Sequence, residues 1–278
     1  MKTLLLKFAT VLSVFFFSYQ PPASQEFQGQ AYYFSKTRMD LGRWGARMSE
    51  AQKKQVKERL KSRLEKTYIL DFNKDESLFD EEDRLDAMSG ATDSWGKNFS
   101  AGESYKNLKE KALVQQQEFY GKRFLVKDEL LELNWQVGAE SKQIGQYMCF
   151  KATATVPSKD LTWYTFSWAD LRRARQQADS TQTSTEVPEV EMTEIEAWFT
   201  PQIPVGHGPG EFWGLPGLIL EVSAGNTTML CSKIVMNPEE KVEIEAPDKG
   251  KEITKAAYQE TIRAKMQEMR DNRGRRRS

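Results

Sequence analysis

The chain has 278 residues, with 40 Lys and Arg set against 40 Asp and Glu. Apolar residues make up 39% and charged residues 29%, which excludes a disordered polyelectrolyte and supports a real core. A formal net charge of +0 argues against a protein that binds nucleic acid by neutralising phosphates.

Residues 1–24 have the shape of a secretory signal: Lys2 near the start, an apolar middle to Phe17, then small and polar residues with Pro21 and Pro22. Lys7 interrupts the apolar region, and the run is short for a membrane-spanning helix. Cleavage is expected after Ala23 or Ser24. No cysteine lies in the first thirty residues, which removes a lipid anchor on a new N-terminal Cys. Loss of Lys2 and Lys7 leaves 38 basic against 40 acidic residues. The expectation is an exported protein of the periplasm or outer membrane, or a secreted one, with no transmembrane segment after signal removal.

The remainder reads as a single β-rich domain over residues 25–271. Residues 28–38 predict a first strand. Ser49 followed by Gln52 is a capping box. It should open a charged helix to about Lys66, with Val56, Leu60 and Leu64 as a narrow apolar stripe. Residues 67–72 alternate as a strand. Residues 80–104 are polar and read as a long loop; their acidic patch lacks the spacing of a calcium site. From Ala112 hairpins follow: strands over 113–120 and 123–127, then 131–137 and 145–156 with residues 138–143 as the connection. Residues 161–168 are an aromatic-rich strand. Residues 169–190 read as an inserted polar segment.

Strands are expected again over 192–200, 218–223 and 227–236, the last two a hairpin across Ala224-Gly225-Asn226, with a short strand at 242–244. Thr254 caps a C-terminal helix that presents Tyr258, Ile262, Met266 and Met269 on one face. Residues 272–278 form a basic tail, suited to weak contact with anionic surfaces. The fold class is α+β, mostly β: one strongly curved antiparallel sheet of about eight to ten strands, half-barrel-like, with an early and a C-terminal helix.

Chemistry-bearing motifs are scarce. His207 is the only histidine, so neither a multi-histidine zinc site nor more than one Ser-His-Asp arrangement could be built. Its glycine-flanked setting predicts an exposed loop position. No nucleophile elbow, phosphate-cradling glycine loop or Cys-x-x-Cys stands in the chain; no metal or cofactor is expected. Export permits a disulfide between Cys149 and Cys231, but nothing in the spacing brings them together. A disulfide and two buried thiols both stand.

The densest stretch is residues 198–219. Trp198, Phe199, Pro204, Gly208, Pro209, Phe212 and Trp213 are its candidate ligand- or partner-binding residues, on a loop lining a groove. The competing reading is a tight crossover packed under aromatics. Leu215-Pro216-Gly217-Leu218 reads as a type II turn needing positive φ at Gly217. It launches a strand that buries Leu218, Leu220 and Val222. Gly217→Ala is therefore expected to damage folding more than His207→Ala.

The hexapeptide Gly214-Leu215-Pro216-Gly217-Leu218-Ile219 resembles the signature of the GLPGLI family of exported Gram-negative proteins. Ala197-Trp198-Phe199-Thr200, Ile203-Pro204 and Gly208-Pro209 are similar to that family's run-up to the hexapeptide. So are Trp135, Lys142, Ile144-Gly145, Tyr147, Cys149 and Lys151-Ala152 upstream of it. Asn73, Glu76-Ser77-Leu78-Phe79 and Tyr105-Lys106-Asn107 resemble its earlier landmarks. The resemblance implies an envelope or secreted protein and no assigned catalytic residue. The functional expectation is non-enzymatic binding of a partner protein or apolar ligand by a curved sheet. The alternatives are a hydrolase using carboxylates alone and a structural subunit of an outer-membrane assembly.

Overall fold

The computed structural model describes residues 27–39, 46–82, 102–163, 165 and 190–275. The expected signal segment, the inserted segment up to residue 189 and the last three residues of the basic tail lie outside them.

Among the described residues twelve strands form one mixed sheet. They are β1 (Gly29–Thr37), β2 (Glu65–Phe72), β3 (Glu76–Glu81), β4 (Ser104–Asn107), β5 (Ala112–Phe119) and β6 (Lys122–Glu129). The others are β7 (Gln136–Ile144), β8 (Tyr147–Pro157), β9 (Met192–Thr200), β10 (Leu218–Ala224), β11 (Thr227–Met236) and β12 (Lys251–Ile253). Their order is β12-β6-β5-β4-β3-β2-β1-β11-β10-β9-β8-β7. Every pair is antiparallel except β12 with β6. The sheet is thus mixed and open, with edges at β12 and β7, rather than a purely antiparallel half-barrel. The first strand lies in its middle, where β1 pairs with β11.

Helix α1 (Glu50–Arg59) begins with the expected capping box at Ser49 and Gln52. It stops earlier than its sequence suggests: a single turn, α2 (Lys61–Leu64), leads directly into β2. No residue of α1 is buried. Its stripe is too narrow to seat it on the sheet, and capping and charge pairs such as Lys53–Glu50 at 2.7 Å sustain it instead. Helix α4 (Lys255–Arg275) behaves as its periodicity predicts. Thr254 Oγ1 accepts from Ala257 N at 3.2 Å. Tyr258, Ile262 and Met266 are buried against Phe119, Phe124, Val126 and Trp163. The first basic residues of the tail continue this helix.

Several strands depart from the pattern reading, each for a local reason. Residues 131–135 are irregular because their backbone and Trp135 serve the loop described below. Strand β7 instead runs through residues 138–143, and the hairpin turns at Gly145, whose φ is 58°. Residues 158–161 form one helical turn, α3 (Ser158–Leu161), and Trp163 plugs the groove under α4, 2% exposed. Residues 242–244 are not a strand; β12 comes after them. Strands β3 and β4 flank the segment read as loop over residues 80–104 and enter it only at Asp80, Glu81 and Ser104; residues 83–101 of that segment lie outside the described residues.

Strand β10 is buried on both faces. Leu218 and Leu220 join Tyr33, Phe72 and Phe79 in one cluster, while Ile219 and Val222 join Ile195, Ala197 and Phe199 in another. Simple alternation would put Leu218, Leu220 and Val222 together. A bulge between Ile219 and Glu221, opposite Phe199 and Trp198, places one extra residue in the strand and flips the faces beyond it.

Candidate functional site

Residues 203–217 connect β9 to β10 as a compact loop whose ends touch. Leu218 N donates to Ile203 O at 2.9 Å, Gly214 N to Gly206 O at 2.8 Å, and Ile219 N to His207 O at 3.0 Å. Each end carries a proline-centred turn closed over three residues. Val205 N donates to Ile203 O at 2.8 Å around Pro204, and Gly217 N to Leu215 O at 2.8 Å around Pro216. These are γ-turns, whose central φ proline's ring suits.

The second of them corrects the type II turn expected over residues 215–218. Gly217 is absent from the left-handed glycines; Gly214, at φ 92°, holds that conformation. Glycine is required at 217 for space. A Cβ there would stand 2.2 Å from Thr200 O, because the chain entering β10 passes directly under the end of β9. Gly208 is similarly tight, with a Cβ 2.7 Å from Ile219 Cδ1.

The loop folds over Lys106 on β4. The Lys106 side chain is fully buried, and its Nζ donates to Gly208 O at 2.7 Å, Gly210 O at 2.8 Å and Phe212 O at 3.2 Å. Three carbonyls thus match the three N–H groups of an ammonium. Burial still outweighs the nearby Glu211 charge and pushes Lys106 down to about 7. Beside it lies His207, 0% exposed, in contact with the Phe72 ring at 6.3 Å between centroids. Neither ring nitrogen makes a well-formed hydrogen bond, although the backbones of Asn73 and Lys74 lie close enough to act on the ring as weak partners. Burial first, and the Lys106 charge second, push its pKa down to about 3, against weaker upward pulls from the backbone of Asn73 and Lys74. The expected exposed position for His207 is therefore corrected. Its flanking glycines let the backbone approach the core and turn the imidazole inward.

Glu211 ties the loop to the C-terminal helix. It accepts from Trp163 Nε1 at 3.1 Å and pairs with Lys255 Nζ at 3.3 Å. On the far side two indoles lock together through the backbone. Trp135 Nε1 donates to Trp213 O at 2.8 Å, and Trp213 Nε1 to Leu131 O at 2.7 Å. A cleft of about 280 Å³ opens there, lined by Trp213, Gly214, Lys111, Glu129, Glu132 and Asn134 among others.

The residues expected to line a binding groove are mostly inside. Trp198, Phe199, Gly208, Pro209 and Phe212 are buried, Trp213 is half-buried, and Pro204 is exposed. Of the hexapeptide, Gly214 and Pro216 reach the surface, while Leu215, Gly217, Leu218 and Ile219 are buried. The sheet surface beside Trp198 is internally satisfied. Lys142 Nζ lies 4.2 Å from the Trp198 ring centroid and pairs with Glu221 at 2.7 Å. Trp198 Nε1 donates to Glu196 Oε1 at 2.9 Å. Cys149 and Cys231 are free, buried thiols of one core cluster. Desolvation raises them to about 11 and about 12, so both are held as neutral thiols.

Lys106 is the site residue that sequence reasoning missed. A lysine between Tyr105 and Asn107 in a polar stretch carries no local mark of burial; only the loop 100 residues downstream provides its acceptors.

Among the described residues no group of three or more His, Cys, Asp and Glu is placed to hold a metal ion. No helix there is long and apolar enough to cross a membrane.

A family model described as a protein of unknown function (Porph_ging) matches residues 135–221, which run from the start of β7 through the whole loop and into the first half of β10. No curated protein matches the chain. Two solved structures, "Structure of PNGF-II in C2 space group" and "Structure of PNGF-II in P21 space group", are similar at low identity. The first has a TM-score of 0.49 at 13% identity, covering 85% of this chain and 32% of that one. The second has a TM-score of 0.47 at 12% identity, covering 84% and 32%. This chain thus spans about a third of the length of those structures.

Proposed function

We propose that the protein is an exported envelope protein that works by binding a partner protein, with the sheet as scaffold and the outer face of the β7–β8 hairpin as the contact. One observation carries the reading. Val137, Met148 and Phe150 are 57%, 47% and 37% exposed and share one face of the hairpin, since Val137 stands opposite Ala152 and alternate residues of β8 point the same way. That face continues the buried layer of Ala152, Ala154 and Val156, so the apolar surface runs on past the point where the loop covers it. Large apolar side chains grouped at a surface mark interaction sites. The aromatic residues expected to contact an apolar ligand fill the core instead, which favours a protein partner. We also read the chain as a GLPGLI-type protein, because the hexapeptide lies inside the span matched by the family model.

The test compares the mature protein with a Met148→Glu/Phe150→Glu variant in cross-linking to envelope extracts. Loss of a specific cross-linked product, with unchanged melting, is the expected result. Identical products from both proteins would remove the hairpin as the contact.

A carboxylate-only hydrolase has one observation in its favour. Asp71 lines a cleft of about 520 Å³ together with Glu239, Glu240 and Glu243. Burial raises its pKa, against a lowering hydrogen bond from Gln30 at 2.8 Å, the direction a general acid needs. Release of reducing sugar from envelope glycans by the wild type but not by Asp71→Asn would support this reading. No release by the wild type would end it.

A further inference from the structure

The cleft beside the loop plays no part in the hairpin contact, and its walls come from three separate parts of the chain. Lys111 belongs to the turn between β4 and β5, Glu129 to the end of β6, Glu132 and Asn134 to the irregular segment before β7, and Trp213 and Gly214 to the loop. The backbone ties these parts together. Leu130 N donates to Lys111 O at 2.9 Å. The two indole bonds, Trp135 Nε1 to Trp213 O and Trp213 Nε1 to Leu131 O, clamp the irregular segment to the loop. The cleft is therefore preformed in the folded chain, as ligand sites usually are.

Local sequence sets which groups face it. In Leu131-Glu132-Leu133-Asn134 the two leucines are half-buried, and Leu133 packs on the cluster of β8, β9 and β10, so Glu132 and Asn134 are left exposed. Trp213 is half-buried and spends its single polar side-chain atom on Leu131 O, so it lends the cleft ring surface alone. Around it stand two carboxylates, a carboxamide and an ammonium. The side chains of Glu129, Glu132, Asn134 and Lys111 have no hydrogen bond or ion pair among the described residues. Free donors and free acceptors thus converge beside an aromatic surface.

We propose that this cleft is a saccharide-binding subsite that takes one sugar residue of a neutral glycan. The chemistry narrows the choice. An apolar ligand would strip water from charged groups without returning their hydrogen bonds. An anion would meet Glu129 and Glu132, and a simple cation would meet Lys111. A sugar is neutral, and each of its hydroxyls both donates and accepts, so it can satisfy carboxylates, carboxamide and ammonium together. The C–H groups on the flat face of a sugar ring are weakly positive and suit the negative face of an indole. The volume of about 280 Å³ lies just under the range of pockets for drug-sized ligands and has room for one ring. The rest of a glycan can run out past Gly214, which is exposed and carries no side chain to block the mouth.

Indole NMR of the mature protein tests this at the site itself. With nitrogen-labelled tryptophan, the Nε1 signals of Trp135 and Trp213 report on the clamp that walls the cleft. At least one of cellobiose, maltotriose and N,N′-diacetylchitobiose should shift these two signals saturably and leave those of Trp163 and Trp198, buried elsewhere, unmoved. Glu132→Gln/Asn134→Ala changes two exposed side chains and should melt as the wild type does. It should weaken the same sugar by about tenfold, the loss of one or two hydrogen bonds. No shift at Trp135 or Trp213 with any of the three sugars at tens of millimolar would overturn the proposal. So would equal shifts with spermidine or galacturonate, because charge alone would then explain them, and so would an affinity unchanged in the double variant.

Discussion

The loop of residues 203–217 and the β7–β8 hairpin make opposite use of similar materials. The loop is the most conspicuous stretch of the sequence, dense in Gly, Pro, Trp and Phe, and it spends nearly all of that on the interior. The hairpin looks like an ordinary polar strand pair, yet it leaves Val137, Met148 and Phe150 at the surface. The contrast teaches that glycine density reports how closely backbones approach, and that aromatic density reports what fills the space they enclose. Neither reports what faces solvent.

The largest effect that separates the two regions is expected at Gly217. A Cβ placed 2.2 Å from a backbone oxygen cannot be relieved by a side-chain rotation, so the ends of β9 and β10 must part. Gly217→Ala should lose on the order of 3 kcal/mol or more, read as a fall in urea midpoint. A loss below about 1 kcal/mol would show that the crossover is loosely packed.

Lys106→Met should follow. It keeps the buried stem but leaves Gly208 O, Gly210 O and Phe212 O without their donor. A stranded buried polar group costs about 1–3 kcal/mol, so a loss of roughly 2–4 kcal/mol is expected in the same melts. An unchanged melt would mean that water or backbone shifts satisfy the carbonyls as well as the ammonium does.

His207→Leu should behave differently on the two sides of neutrality. Replacing a buried imidazole that makes no well-formed hydrogen bond by an apolar side chain is near neutral at pH 7.5. The wild type, whose folded His207 pKa is depressed to about 3, loses its contribution as pH falls from 6.5 towards 3, at about 1.4 kcal/mol per unit. At pH 5 the variant should therefore be the more stable by roughly 2 kcal/mol. Equal stability differences at both pH values would contradict a sealed imidazole. His207→Ala, which an exposed position would tolerate, should cost about 1–3 kcal/mol through the cavity it leaves.

The smallest effect belongs to the hairpin. Met148→Glu and Phe150→Glu should each change stability by no more than about 0.5 kcal/mol, as exposed positions do. A larger loss in thermal melts would mean that this face is covered in the folded chain.

How much of this was legible in the sequence depends on whether the governing interaction is local. The capping box at Ser49, the strand β9, the hairpin of β10 and β11 and the apolar face of α4 are all set by neighbours within a few residues, and each appears where its pattern puts it. Strands β3 and β4 are short, and polar Ser77, Ser104 and Lys106 face inward, so alternation gave no signal there. Trp163 looked like part of a strand because an aromatic residue suits one; its partner Tyr258 is 95 residues away. The same distance hid Lys106. The hexapeptide pointed to the right place with the wrong mechanism, since Gly217 is small for the sake of Thr200 rather than for its own φ.

The claim that the loop turns inward rests most directly on the state of one side chain. His207 is the only histidine, so its ring protons give a single, unambiguous pair of signals in the proton NMR spectrum of the tag-free mature protein. A titration from pH 8 to 4.5 should leave those signals unmoved while the protein stays folded, because the imidazole titrates at about 3. A midpoint near the ordinary value of about 6.5 would place His207 in water and contradict the inward loop.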